Sequence, residues 1–224
     1  MGSLYTVAME PCSQKLVLYR RIRPGQIDPG TITAALAALP DTLRERIDRR
    51  HDAFDRQRSL AGLALLREGM ARFGQDDFAL ERIILSPHGK PDWPGPVRFS
   101  ISHANELVAC ALAGTPVGLD VEWRRPMARI PEAGLSPAER AAIAEEPARF
   151  FDFWTAREAV LKAAGDLGIA RLTEVTLDGE QAEYAERRWH LHYAEPLGGY
   201  VLCLASPDAA PPLLEEAAGI MPGS

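Results

Sequence analysis

Lysine is nearly absent from this chain. Among 25 basic residues the only lysines are Lys15, Lys90 and Lys162. Nor is the overall balance basic: the net charge is −6, which gives no support to a general nucleic-acid binder. No apolar run approaches the ~20 residues that a bilayer-crossing helix needs, and the first residues lack the pattern of a secretory signal. Cys12, Cys110 and Cys203 are odd in number and far apart. They form neither a disulfide framework nor a zinc-ligand spacing, and they fit a reducing cytoplasm. A Gly-rich P-loop and short repeats are also missing.

What is present is ordinary globular material: 224 residues, 46% hydrophobic and 25% charged, enough for one large domain or two small ones. Lys15–Ile22 reads as a first strand. Helices are expected over 31–39, over 42–50 with Asp41 as cap, and over 52–73 with an apolar stripe. The second of these carries Arg44, Arg46, Arg49 and Arg50, either a solvated face or an anion site. Strands are expected over 81–85, 97–102 and 107–113, the last two joined as a hairpin through His103–Glu106. Three closing strands are expected at 175–177, 189–193 and 200–205. Residues after Ser206 read as a weakly ordered tail.

The chemistry concentrates in Val117–Glu122. As a strand it turns Val117, Leu119 and Val121 to one face and Gly118, Asp120 and Glu122 to the other. Two carboxylates that close repel, and a hard divalent cation between them relieves the repulsion; a solvated strand face is the alternative. Farther on, Ser136-Pro137-Ala138-Glu139 is a capping box, which gives Glu139 a structural role. A helix over 148–164 then places Trp154, Glu158 and Lys162 in one row, either a surface ion pair or an addition to the acidic strand's face.

Four stretches in this order resemble the Sfp-type 4′-phosphopantetheinyl transferases: Gly89-Lys90-Pro91, Phe99–His103, Val117–Glu122 and Trp154–Lys162. The arginine-rich lead-in from Arg49 to Arg67 is similar as well, so the resemblance covers roughly residues 44–168. It implies an α+β fold of two similar α/β halves about a pseudo-twofold axis, with the active site in the cleft between them. The expected halves are 1–105, on the nucleotide side, and 106–206, with the metal carboxylates and catalytic helix; 207–224 is the tail. The implied reaction moves the phosphopantetheine arm of coenzyme A onto a serine of an apo acyl or peptidyl carrier protein and releases adenosine 3′,5′-bisphosphate. Mg²⁺, or Mn²⁺ in its stead, is the implied metal.

Carried over by residue, the resemblance makes Asp120, Glu122 and Glu158 the metal carboxylates, with Glu158 also the base for the carrier serine. Lys162 would hold the pyrophosphate or departing phosphate. Ser102 and His103 would contact coenzyme A phosphates, and Lys90, Arg58, Ser59 and Arg44 would line the nucleotide and 3′-phosphate pocket. Ser100 stands where the family usually has Asn, Ala104 where it has Ser, and Arg157 where it has Lys. The expected protein is a cytoplasmic monomer that works on neither nucleic acid nor membrane. A non-catalytic module binding a carrier protein or coenzyme A is the competing reading; loss of Asp120, Glu122, Glu158 or Lys162 would favour it, and all four are present.

Overall fold

The computed structural model describes residues 14–86, 90–132, 134–166 and 168–218. Cys12 and Gly89 lie outside them. The chain is α+β. The described residues begin with β1 (Lys15–Arg21), α1 (Pro29–Ala37), α2 (Asp41–Asp48) and the long α3 (Ala53–Arg72). A two-residue ribbon, β2 (Ile84–Leu85) and β3 (Pro91–Asp92), leads to the hairpin β4 (Arg98–Ala104) and β5 (Leu107–Ala113). Then come β6 (Gly118–Trp123), α4 (Pro137–Glu145) and α5 (Arg149–Ala164). Four strands follow, β7 (Thr176–Asp178), β8 (Gln181–Tyr184), β9 (Arg187–Ala194) and β10 (Tyr200–Ser206), and lastly β11 (Leu213–Glu216).

Two main sheets organise these elements. The first has the order β11-β1-β5-β4 and the second β6-β10-β9-β8-β7. They lie back to back. Val17, Leu107, Ala109 and Ala111 of the first form one apolar cluster with Leu119, Val121, Leu202 and Leu204 of the second. Because side chains alternate along a strand, the opposite residues of β5, Val108, Cys110 and Leu112, point away and pack under α3 with Leu60, Leu66 and Met70. On the other side Cys203 and Ala205 pack under α5 with Ala156, Val160 and Leu161. The layers therefore run helix, sheet, sheet, helix, and the edge strands β4 and β6 meet: Ser100 Oγ accepts the Leu119 N–H at 3.0 Å.

Three expectations are corrected. The sheets divide at the turn after Ala113, not at 105/106, because β4 and β5 pair along their whole length within one sheet. The segment after 206 is not simply a tail: β11 runs parallel to β1 with Leu16 opposite Leu213, and Arg72 of α3 pairs with Glu215. Pro40, not Asp41, is the cap residue of α2, and Asp41 sits in its first turn.

At α4 and α5 the sequence logic holds, whereas the strand expected over 81–85 is a 3-10 turn at Leu80–Arg82 followed by the two-residue β2. Ser136 and Glu139 form the reciprocal capping box of α4. Gly165, in the left-handed region at φ +84°, closes α5 three residues after Lys162. Gly118 lets β6 touch α5. A Cβ there would be driven into the backbone at Ala159 O and Ala163 N, so only glycine allows the acidic face of β6 to lie this close to the helix.

Candidate active site

Asp120 is the centre of a buried polar cluster where β6, β4 and α5 converge. It is only 5% exposed. Lys162 Nζ lies 2.6 Å from its Oδ1, and Ser102 donates its hydroxyl to the same oxygen at 2.8 Å. Lys162 also donates to Ser102 Oγ at 3.2 Å. Three residues called from the sequence thus meet across the seam of the two sheets.

The other two carboxylates feel the same charge. Burial, reinforced by Asp120, pushes Glu122 up to about 7, against the opposing pull of Arg125 and Lys162. Arg125 stands 3.5 Å from its carboxylate. Glu158 is also pushed upward, first by burial and then by Asp120, with Lys162 opposing. Both half-buried glutamates therefore hold their protons more tightly than usual.

Among the described residues no three His, Cys, Asp or Glu side chains stand in a ready-made metal-ligand set. The donor chemistry nevertheless fits a hard cation. Asp120 Oδ2 is buried with no hydrogen-bond partner among the described residues, and the two glutamates are raised by burial and by Asp120's charge. An oxygen-preferring divalent ion would satisfy the first and relieve the second.

Lys162 also lines a cavity of about 150 Å³ between α2, α3, β4 and Lys90. Its apolar side is Leu43, Ile47, Leu63 and Phe99, and its polar side is Arg46, Arg50, Ser59, Ser100 and His103. The charge here is positive. Burial and Arg50 depress the Arg46 guanidinium. Lys90 is lowered by burial, with Lys162 and Arg98 adding to the effect and Asp92 resisting it. His103 is brought down to about 4 by burial and by Arg58 and Arg50, with Asp55 opposing. Cations that depress one another favour a bound anion. Lys90 also donates to the Lys162 carbonyl in the last turn of α5, tying the cavity wall to the helix that carries Glu158.

The sequence-called nucleotide residues are thus placed unevenly. Lys90, Ser59 and His103 line the cavity. Arg44 does not; it is ion-paired with Asp41 on the outer side of α2. Arg58 is turned instead to the β4–β5 hairpin, where it donates to Asn105 O at 2.8 Å and pairs with Asp55. Arg46 and Arg50, named from the sequence only within the basic run offered as an anion site, are the pair that lines the cavity. Their signal was in the spacing, for each follows by three an apolar residue, Leu43 or Ile47, that α2 buries. Arg157 faces away from this site, and its Nη2 lies 2.8 Å from Glu139 Oε1 in a buried ion pair.

A family model for the 4′-phosphopantetheinyl transferase superfamily matches residues 116–205, the run from just before β6 almost to the end of β10. Over that stretch the chain is similar to the superfamily. Among curated proteins it is similar to a 4′-phosphopantetheinyl transferase of Bacillus subtilis, 30% identical over 139 residues, covering 58% of this chain and 62% of the relative. It is likewise similar to 4′-phosphopantetheinyl transferase gsp of Aneurinibacillus migulanus, 28% identical over 156 residues, covering 63% of this chain and 62% of the relative. A third superfamily relative, 4′-phosphopantetheinyl transferase Sfp of Bacillus subtilis, is 29% identical over 130 residues, covering 54% of this chain and 58% of the relative. The matches therefore span about three-fifths of the length of these relatives.

Proposed function

We propose that this chain is a 4′-phosphopantetheinyl transferase, moving the phosphopantetheine arm of coenzyme A to a serine of an apo acyl or peptidyl carrier protein. The observation that carries the reading is the buried Lys162–Asp120–Ser102 cluster beside a cavity lined by Arg46, Arg50, Lys90 and His103. A pyrophosphate ester with a third phosphate on its ribose is the kind of polyanion such a cavity attracts, and its apolar wall suits a flat base.

In this reading Glu158, its carboxyl raised by burial and by Asp120, takes the proton of the carrier serine hydroxyl, which is a poor nucleophile until a base acts on it. The hydroxyl oxygen attacks the phosphorus bearing the pantetheine arm. The bond to the bridging pyrophosphate oxygen breaks, and the negative charge leaves with adenosine 3′,5′-bisphosphate. Lys162 neutralises the developing charge, and Ser102, His103 and Lys90 hold the phosphates in line. Asp120, Glu122 and Glu158 would hold Mg²⁺, whose chemistry when bound is to withdraw charge from the phosphate oxygens.

Two sheet-and-helix units, each with its long helix on the outer face, are consistent with a pseudo-twofold arrangement. Buried free thiols at Cys110 and Cys203 suit a cytoplasmic protein, and the large internal seam suits a monomer.

The test is the intact mass of an apo carrier protein after incubation with the protein, coenzyme A and Mg²⁺. A gain of the phosphopantetheine mass is expected, lost with a chelator or with Asp120→Ala. No gain with several carriers, from folded protein that still binds coenzyme A, would leave a binding module in place of the enzyme.

A further inference from the structure

We infer that the hydroxyl of Tyr200 is a positioning group that locks the Ser102–His103 hairpin against the carboxylate unit and so sets the geometry of the coenzyme A phosphate site. The inference rests on the cleft being that site. It adds a residue that lies outside the cavity and outside every motif that suggested the function.

Tyr200 opens β10, pairs with Trp123 across the sheet and is 6% exposed. Trp123 follows Glu122, so Tyr200 is anchored at the end of the carboxylate strand. Its hydroxyl leaves this sheet and enters the turn of the other one. There it accepts the Asn105 side-chain amide at 3.0 Å and the Glu106 backbone N–H at 3.2 Å.

That turn needs holding. Ala104 pairs with Leu107, so Asn105 and Glu106 alone make the loop, and their amide groups have few local partners in so short a turn. Asn105 adopts φ +46°, a left-handed conformation that Asn tolerates better than most residues. The first unit grips the turn from its own side. Arg58 donates to Asn105 O, the Ile22 N–H to Glu106 O at 2.7 Å, and Arg21 pairs with the Glu106 carboxylate at 2.6 Å. Tyr200 is the hold from the second unit. His103, on the cavity wall, is two residues from Asn105, and Ser102, on Asp120, is three. A turn free to swing would carry both away from the groups they face.

Tyr200→Phe keeps the ring and removes both acceptor contacts. Coenzyme A KM and Kd are expected to rise about tenfold, while kcat at saturating coenzyme A changes by less than twofold. Amide exchange at Glu106 should quicken by a similar factor, since its N–H loses its partner. Asn105→Gly, which suits the positive φ and removes the side-chain amide, should reproduce part of the loss. Adding it to Tyr200→Phe should cost nothing more, because one hydroxyl serves both bonds. Unchanged coenzyme A affinity in folded Tyr200→Phe, or a fall in kcat with KM unmoved, overturns the inference. Should the wild-type protein fail to bind coenzyme A, the functional reading falls, and Glu106 exchange still decides whether Tyr200 holds the hairpin. Should Tyr200→Phe not fold, Asn105→Gly carries the affinity test alone, and an unchanged Kd there is the refuting result.

Discussion

Replacing Gly118 with alanine should separate stability from turnover at this site. The added Cβ meets backbone atoms of α5, the Ala159 carbonyl oxygen and the Ala163 nitrogen, and it stands 3.0 Å from the Ala159 carbonyl carbon. Carbon atoms in contact prefer ~3.5–4.0 Å, and no flexible side-chain end is available to yield. The helix itself must back away from β6 by roughly 1 Å. Overpacking of this kind costs about 1–3 kcal/mol, which for a chain of this size lowers Tm by roughly 3–10 °C. The chemical consequence is larger, because α5 carries Glu158 and Lys162 while β6 carries Asp120 and Glu122. A misplacement of about 1 Å between reacting groups can cost ~10²-fold in rate. Differential scanning calorimetry and a carrier-modification assay on the same preparation measure both effects. Gly198→Ala is the control, since a Cβ there meets nothing within 4 Å, and it should behave as wild type. If Gly118→Ala kept wild-type Tm and turnover, the claim that this contact sets the site's spacing would be refuted.

Glu139→Ala leaves the buried Arg157 guanidinium without its carboxylate and should cost about 3–5 kcal/mol in urea unfolding, whereas Glu139→Leu with Arg157→Met should recover most of it. The imidazole of His103 is held near 4 against an ordinary 6.5, so below pH 6.5 the unfolded chain takes up a proton that the folded chain refuses. Stability is therefore lost as pH falls from about 6.5 toward 4, by about 1.4 kcal/mol at pH 5.5. In His103→Gln the difference in unfolding free energy between pH 7.5 and 5.5 should shrink by that amount. Mg²⁺ at ten times its Kd should add about 1.4 kcal/mol of stability, a rise in Tm of roughly 3–6 °C; Asp120→Asn should abolish it, and no rise in the wild type would count against the three carboxylates as a cation site. Arg50→Ala should weaken adenosine 3′,5′-bisphosphate binding about tenfold and flatten its salt dependence, measured by calorimetry at two ionic strengths.

The acidic face of β6 and the Trp154–Lys162 row were legible because strand and helix periods alone decide which side chains share a face. The capping box at Ser136 was legible for the same local reason. What failed depended on which neighbours the fold buries and which it brings to each side chain. Arg44 and Arg46 look alike in a charge run, and only the burial of Leu43 and Ile47 turns Arg46 inward and leaves Arg44 to Asp41. Arg58 reads as a phosphate ligand until the hairpin brings Asn105 O to it. Ser100 reads as a departure from the family pattern, yet its oxygen takes the Leu119 N–H and joins the two edge strands. A two-residue strand such as β3, or the short β8 with its Gln-Ala-Glu-Tyr sequence, carries too little apolar alternation to stand out from loop.

The return of β11 to β1 bears on how this protein is made. Arg20 donates to the carbonyl of Ala217, 197 residues away, and Lys15 donates to the Asp208 carbonyl, so the first sheet is completed only by a segment synthesised long after β1. Until then Leu16–Tyr19 offer an open row of backbone groups to any neighbouring chain. Contacts of such long sequence separation fold slowly. A fragment ending after β5 would therefore be a poor substitute for the first unit: it would expose a bare strand edge and tend to associate, while the intact chain closes that edge from within.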